Sequence, residues 1–261
     1  MQVNDIEQYL NEVFPPENAL DYDNVGLIAG NRDKVVSAIL VSLDLTSKAI
    51  QAAKACGANL IVTHHPIIFG GIKALTMDDY VGRTLVELIK SGISVISCHT
   101  NLDLTDEFGN LAIAELLGAK DAKHLDGAVC GVYYEIDSEE PVTLKDYCKK
   151  VAGDLKCSGI ITINDPQNKV SRVFIQGGSF DEDSVDTILK NGIDTVVSGE
   201  IKHHICVGLG QMGINTIIAG HSATEQAYLP KMAKLLSEKF PGIDITVNYN
   251  NEVSSIPNNH L

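Results

Sequence analysis

Six of the eight histidines fall in four short segments, each just after an apolar, strand-like run. They are Thr63-His64-His65-Pro66, Cys98-His99-Thr100-Asn101-Leu102-Asp103, Gly199-Glu200-Ile201-Lys202-His203-His204 and Gly220-His221-Ser222-Ala223-Thr224-Glu225. Neutral imidazole is a common metal donor, and carboxylates complete or bridge such sites. Open α/β sheets gather ligands where loops leave the carboxyl ends of their strands. Four such loops would build a pocket suited to a borderline-soft divalent metal, zinc or iron. His64, His65, Asp103, His221 and Glu225 are the expected ligands. That is fewer donors than two closed structural sites require, so positions stay open for water or substrate.

Spacing supports the set. Neighbours on a strand point to opposite faces, but Pro66 turns the chain directly after His64-His65, so both rings can reach one cleft. His221 and Glu225 are four apart and share a helix face. Plainer roles exist for each group. Asp103 can cap the helix after it, and Glu225 can be a first-turn acid favoured by the helix dipole. His203-His204 reads either as an exposed helical pair or as a contact to substrate, and Asp23-Asn24 reads as a turn from composition. No role is given to His124 or His260. Other chemistries lack their signatures: there is no GxSxG elbow and no GxxxxGK[ST] phosphate loop. Residues 208–213 satisfy GxGxxG, but they follow a helical pattern and precede a strand, the reverse of the dinucleotide-binding order.

The positioning elements alternate. A helix is expected around Asp5–Val13, stopped by Pro15-Pro16. Val35–Leu43, Leu60–Thr63, Ile93–Cys98 and Val129–Ile136 read as strands, and Ser47–Ala55, Val81–Lys90 and Leu111–Leu117 as helices. Continuous apolar runs indicate strands covered on both faces, hence α/β layers. Asp137–Pro141 reads as a loop and a midpoint linker. The second half repeats the first: Lys34 leads to Gly57 and Lys169 to Gly192 over the same 23 residues, each glycine followed by a strand. His99-to-Asp103 and His221-to-Glu225 share a spacing of four. Two related α/β lobes follow, residues 1–127 and 128–261.

The 261 residues are 44% hydrophobic and 21% charged, an ordinary globular balance. A net charge of −14 disfavours nucleic-acid phosphates and anionic lipid as partners. No basic residue precedes Arg32 and no apolar h-region follows, so no signal peptide is read. The uncharged stretch from His203 to Thr224 holds too many polar groups for a membrane span. Six cysteines without CxxC spacing read as reduced, mostly buried thiols of a cytoplasmic protein.

At these residues the chain resembles the Nif-three-like family, whose members are often named GTP cyclohydrolase 1 type 2 homologues. The likeness covers nearly the whole chain. It takes in Asp23-Asn24-Val25-Gly26-Leu27, Thr63-His64-His65-Pro66, His99 through Asp103, Gly109-Asn110, Ser198-Gly199-Glu200 and Gly220-His221 through Glu225. The resemblance implies two similar, intertwined three-layer α/β/α lobes from an internal duplication. It also implies a dinuclear site of two divalent ions on His64, His65, Asp103, His221 and Glu225, with Glu225 bridging. It further implies a toroidal homohexamer, and a short form without an inserted domain near Asp137–Pro141. The expected function is a metal-dependent, GTP cyclohydrolase-like hydrolase of a nucleotide or related heterocycle. His99 and Glu200 are its candidate catalytic proton carriers, and His203 a weaker one. The competing expectation is a non-enzymatic metal-handling or scaffold protein.

Overall fold

A computed structural model describes residues 1–249, so His260 lies outside the described residues. The chain forms two compact units. The first comprises Met1–Thr105 and the segment beginning at Leu229; the second comprises Asp106–Tyr228.

The first unit holds a five-stranded sheet in the order Gly26–Ala29, Ser94–Ser97, Leu60–Thr63, Ala38–Ser42, Asp244–Asn248. All neighbours are parallel except Gly26–Ala29, which lies antiparallel at one edge. Ala38–Ser42, Leu60–Thr63 and Ser94–Ser97 are buried at every position, as their unbroken apolar runs require. Leu40, Ile61 and Val95 meet Ala49, Ile50 and Ala53 of the helix Ser47–Ala55 and Leu85 and Leu88 of the helix Tyr80–Lys90. Thr46 and Asp79 start these two helices, their side chains accepting from the amides of Ala49 and Gly82. Ile39, Val41, Val62 and Ile96 are buried on the opposite sheet face. The strand expected over Val35–Leu43 begins only at Ala38. Val35 is exposed and forms an isolated bridge with Gln2 instead.

The second unit holds a six-stranded sheet in the order Lys123–His124, Val132–Glu135, Arg172–Ser179, Thr195–Glu200, Asn215–Ile218, Ile161–Ile163. Its three central strands, from Arg172–Ser179 to Asn215–Ile218, are parallel; Val132–Glu135 and Ile161–Ile163 flank them antiparallel, and Lys123–His124 pairs antiparallel with Val132–Glu135. Phe174 and Val196 pack against Ile188 of the helix Val185–Lys190 and Leu209 of the helix His203–Gln211. Asp137–Pro141 is a loop, as expected, and lies inside this unit. Both sheets are therefore mixed: the first through one antiparallel edge strand, the second through antiparallel pairs on both sides of its parallel centre.

Among the described residues no helix is long and apolar enough to cross a membrane. All six cysteines are free; Cys98 and Cys206 are buried, while Cys56 is exposed. Burial pushes the Cys98 thiol up to about 12, which keeps it protonated and inert.

Leu88 is fully buried between helix and sheet. Leu88→Ala is expected to lower unfolding free energy by about 2–5 kcal/mol, read from urea midpoints. The exposed neighbour Lys90→Ala should stay within about 0.5 kcal/mol.

Candidate metal centre

In the first unit the register aligns three strand ends. Ser42 pairs with Thr63, and Thr63 with Ser97, so the residues following each leave the sheet side by side. Asp44, His64-His65 and His99 are those residues. The turn after Thr63 is tied down by backbone: the amides of His64 and His65 both donate to the Leu43 carbonyl. The Thr63 hydroxyl donates to the His65 carbonyl at 3.0 Å and shares a hydrogen bond with Ser97 at 2.7 Å. This is how adjacent histidines, which a straight strand would point apart, come to one place. Their ring centroids lie 5.0 Å apart, and His99 is 5.0 Å from His64 and 5.6 Å from His65. One nitrogen from each of His64, His65 and His99 lies within 4.8 Å of the other two.

Each ring is held by Nδ1. His64 Nδ1 is 2.9 Å from the Cys98 carbonyl oxygen. His65 Nδ1 is 2.8 Å from Asp44 Oδ1, and His99 Nδ1 is 2.8 Å from Asp23 Oδ1. Carbonyl and carboxylate oxygens only accept, so Nδ1 carries a proton in all three rings, which leaves Nε2 as the nitrogen through which each ring could bind a metal. Metal-ligating histidines are oriented in this way. The carboxylate of Asp103 stands 3.7 Å from His64 Nε2. It sits on the short helix Thr100–Asp103, one turn past His99, whose carbonyl accepts from the Asp103 amide. Three imidazole nitrogens beside a carboxylate suit zinc or iron.

Asp23 was expected only to make a turn, and Asp44 was not singled out. The Asp23 side chain is 0% exposed and accepts from His99 Nδ1, the Thr100 amide at 2.9 Å and the Thr100 hydroxyl. Burial alone would raise its carboxyl. The hydrogen bonds from His99 and Thr100, with the field of His99, overcome that and hold it well below the usual carboxylate range. Nothing in the residue types marked either acid, because each acts on a histidine more than 20 positions away.

In the second unit the parallel strands again end together, Ser198 opposite Ile218. The chain leaves Asn215–Ile218 through Gly220, at φ +95°, into the helix His221–Glu225. His221 Nε2 is 3.0 Å from Glu225 Oε2, and His221 Nδ1 is 3.2 Å from Glu200 Oε1. Glu200 thus touches His221 as Asp44 touches His65. Gly178, at φ +60°, lies under the Glu225 carboxylate, and a Cβ there would stand 2.1 Å from Glu225 Oε1. Its amide donates to Thr224 Oγ1 at 3.0 Å. His203 and His204 are exposed at the start of their helix, and His204 lies 3.7 Å from Glu182 on the surface. That matches the exposed-pair reading. His124 lies 3.4 Å from Asp106.

Two outcomes follow from this geometry. Asp44→Ala is expected to weaken zinc binding about 10- to 100-fold in a chelator competition, with the fold retained because Asp44 is part exposed. Gly178→Ala is expected to displace the Glu225 carboxylate and weaken zinc binding by a similar factor of about ten or more, whereas Gly153→Ala, with open space at its Cβ position, should not.

The family model Duf34/NIF3 (NGG1p interacting factor 3) matches residues 1–257. A Clostridium acetobutylicum protein named GTP cyclohydrolase 1 type 2 homolog is 32% identical over 243 residues, covering 90% of each chain. A Campylobacter jejuni protein of the same name is 30% identical over 251 residues, covering 96% of this chain and 98% of its own. The crystal structure of the Staphylococcus aureus hypothetical protein SA1388 superposes with a TM-score of 0.90 at 25% identity, over 98% of this chain and 99% of that one. The chain belongs to the Duf34/NIF3 family.

Proposed function

We propose that this protein is a dinuclear-metal-dependent hydrolase of a nucleotide or related heterocycle, similar to GTP cyclohydrolase 1 type 2. The ligands in this reading are His64, His65, Asp103, His221 and Glu225, which would hold two zinc or iron ions. One observation carries it: three imidazoles pinned through Nδ1 each bring a ring nitrogen within 4.8 Å of the other two. Structural histidines have no need of such convergence, while metal chemistry does.

Two cations would supply Lewis acidity, lowering the pKa of water and polarising the electrophilic atom of the substrate. The chain's own groups do the rest. His99, locked by Asp23, has a fixed Nε2 able to take and return a proton, and the buried Asp23 carboxylate stabilises the imidazolium that forms. Glu200 is largely exposed and in contact with His221, so it can both hold that ring and pass a proton to solvent. In each sheet the donors stand at the carboxyl ends of parallel strands, which supports reading the halves as copies of one ancestral lobe. We also propose the homohexameric ring that the family resemblance implies, checked by the solution mass.

The test pairs metal content with turnover of a panel of guanine nucleotides and other purines. Wild type is expected to hold about two ions per chain and to hydrolyse a member of the panel only when loaded. His64→Ala should lose metal and turnover together. Full metal-dependent turnover in His64→Ala would sink the catalytic reading. Tight, exchangeable metal with no turnover across the panel would leave the metal-handling alternative.

A further inference from the structure

We propose that the segment 66–79 is a ligand-recognition strap beside the first unit's histidine cluster. In this reading the Phe69 ring stacks a planar heterocycle, and Lys73 meets that ligand's anionic group. The proposal rests on the hydrolase reading above and narrows its substrate to a ring-bearing anion of nucleotide type.

The strap runs from the His64-His65 turn to the helix Tyr80–Lys90 without forming helix or strand. Connections of this length inside a compact unit commonly carry binding. Both ends are fastened. Ile67 is buried in the sheet–helix core with Ile68 packed against it, and the Ile68 carbonyl accepts from Asn24 Nδ2 at 2.7 Å. At the far end Asp79 caps the helix at the Gly82 amide, 2.7 Å away. Gly82 lies so tightly under Thr76 that a Cβ would stand 2.0 Å from the Thr76 carbonyl oxygen.

Between those anchors the strap is exposed and apolar, with Phe69, Ile72, Leu75 and Met77 all open to solvent. Phe69 is 50% exposed, yet its ring is not loose. Its centroid lies 5.6 Å from that of His99 at an interplanar angle of 78°, an edge-to-face contact that sets its orientation beside the cluster. Gly70 and Gly71 follow it, with open space at both Cβ positions. An oriented, half-bare aromatic ring next to metal-type donors is the arrangement on which a planar π system stacks, and stacking of this kind is tolerant of ring identity. Lys73 is the one charged residue from Pro66 to Met77, in a chain where acids outnumber bases 34 to 20. Among the described residues it has no ion-pair partner. An anion arriving with the ring would find that charge uncommitted.

The test uses the zinc-loaded full chain and the variants Phe69→Ala, Phe69→Trp and Lys73→Ala. Calorimetric titrations use guanosine, guanosine monophosphate and ribose 5-phosphate, with metal content and solution mass measured alongside. Phe69→Ala is expected to weaken guanosine and guanosine monophosphate about tenfold or more while leaving ribose 5-phosphate unchanged. Phe69→Trp should retain binding. Lys73→Ala should weaken the two phosphorylated probes and spare guanosine. Unchanged guanosine binding by Phe69→Ala at equal metal content overturns the proposal. So does a wild type that binds no nucleoside, or a Phe69→Ala effect confined to the solution mass, which would make the strap an interface between copies. The expected binding pattern without hydrolysis sinks the hydrolase reading alone. Metal-dependent turnover without ring discrimination sinks the strap alone.

Discussion

A neutral imidazole carries its proton on one nitrogen and a lone pair on the other, and an acceptor bound to one nitrogen fixes which is which and where the ring points. In the first unit Nδ1 of His64, His65 and His99 is engaged by the Cys98 carbonyl, Asp44 and Asp23 respectively. One nitrogen of each ring lies within 4.8 Å of the other two, and the three side chains are already ordered by the fold. The parallel register brings three strand ends level. The Thr63–Ser97 hydroxyl pair and the Leu43 carbonyl fix the turn that carries two consecutive histidines.

The second unit meets its own positioning problem differently. There the deciding feature is a missing side chain: at Gly178 even a methyl group would overlap the Glu225 carboxylate. Thr224, fully buried, accepts from the Gly178 amide and donates to the His221 carbonyl, which ties the helix His221–Glu225 to the strand Arg172–Ser179. One unit orients donors by hydrogen bonds to their far sides, the other by clearing space beneath them. Both devices place the candidate donors at the ends of parallel strands, where the sheet is rigid and the loops are free to differ.

Family membership and fold agree with the site, but they do not name a substrate. The exposed apolar strap bears on that question. Burial would have been the cheaper arrangement for Phe69, and the sheet–helix core already takes in Ile67 and Ile68 two and one residues before it. A ring left bare beside polar donors is more easily understood as a surface kept for a ligand than as unfinished packing.

Much was legible in the residue order. Unbroken runs such as Leu60–Thr63 announced strands covered on both faces, and Ser47–Ala55 announced its helix through its pattern. The histidine segments could be recognised because donors recurred just after apolar runs, a local property. The final strand Asp244–Asn248 was not foreseen. It has a polar residue at every other position, and only pairing with Ala38–Ser42 makes it part of the sheet. Asp23, Asp44 and Gly178 were likewise invisible as site residues, since each matters through a partner far along the chain. Local sequence determined which segments would be strands, helices and donor-bearing turns, because those follow from periodicity and short-range hydrogen bonding. Which acceptor holds each imidazole, and where a glycine must stand beneath a carboxylate, was decided by tertiary structure alone, because contacts between distant strand ends exist only once the sheet has formed.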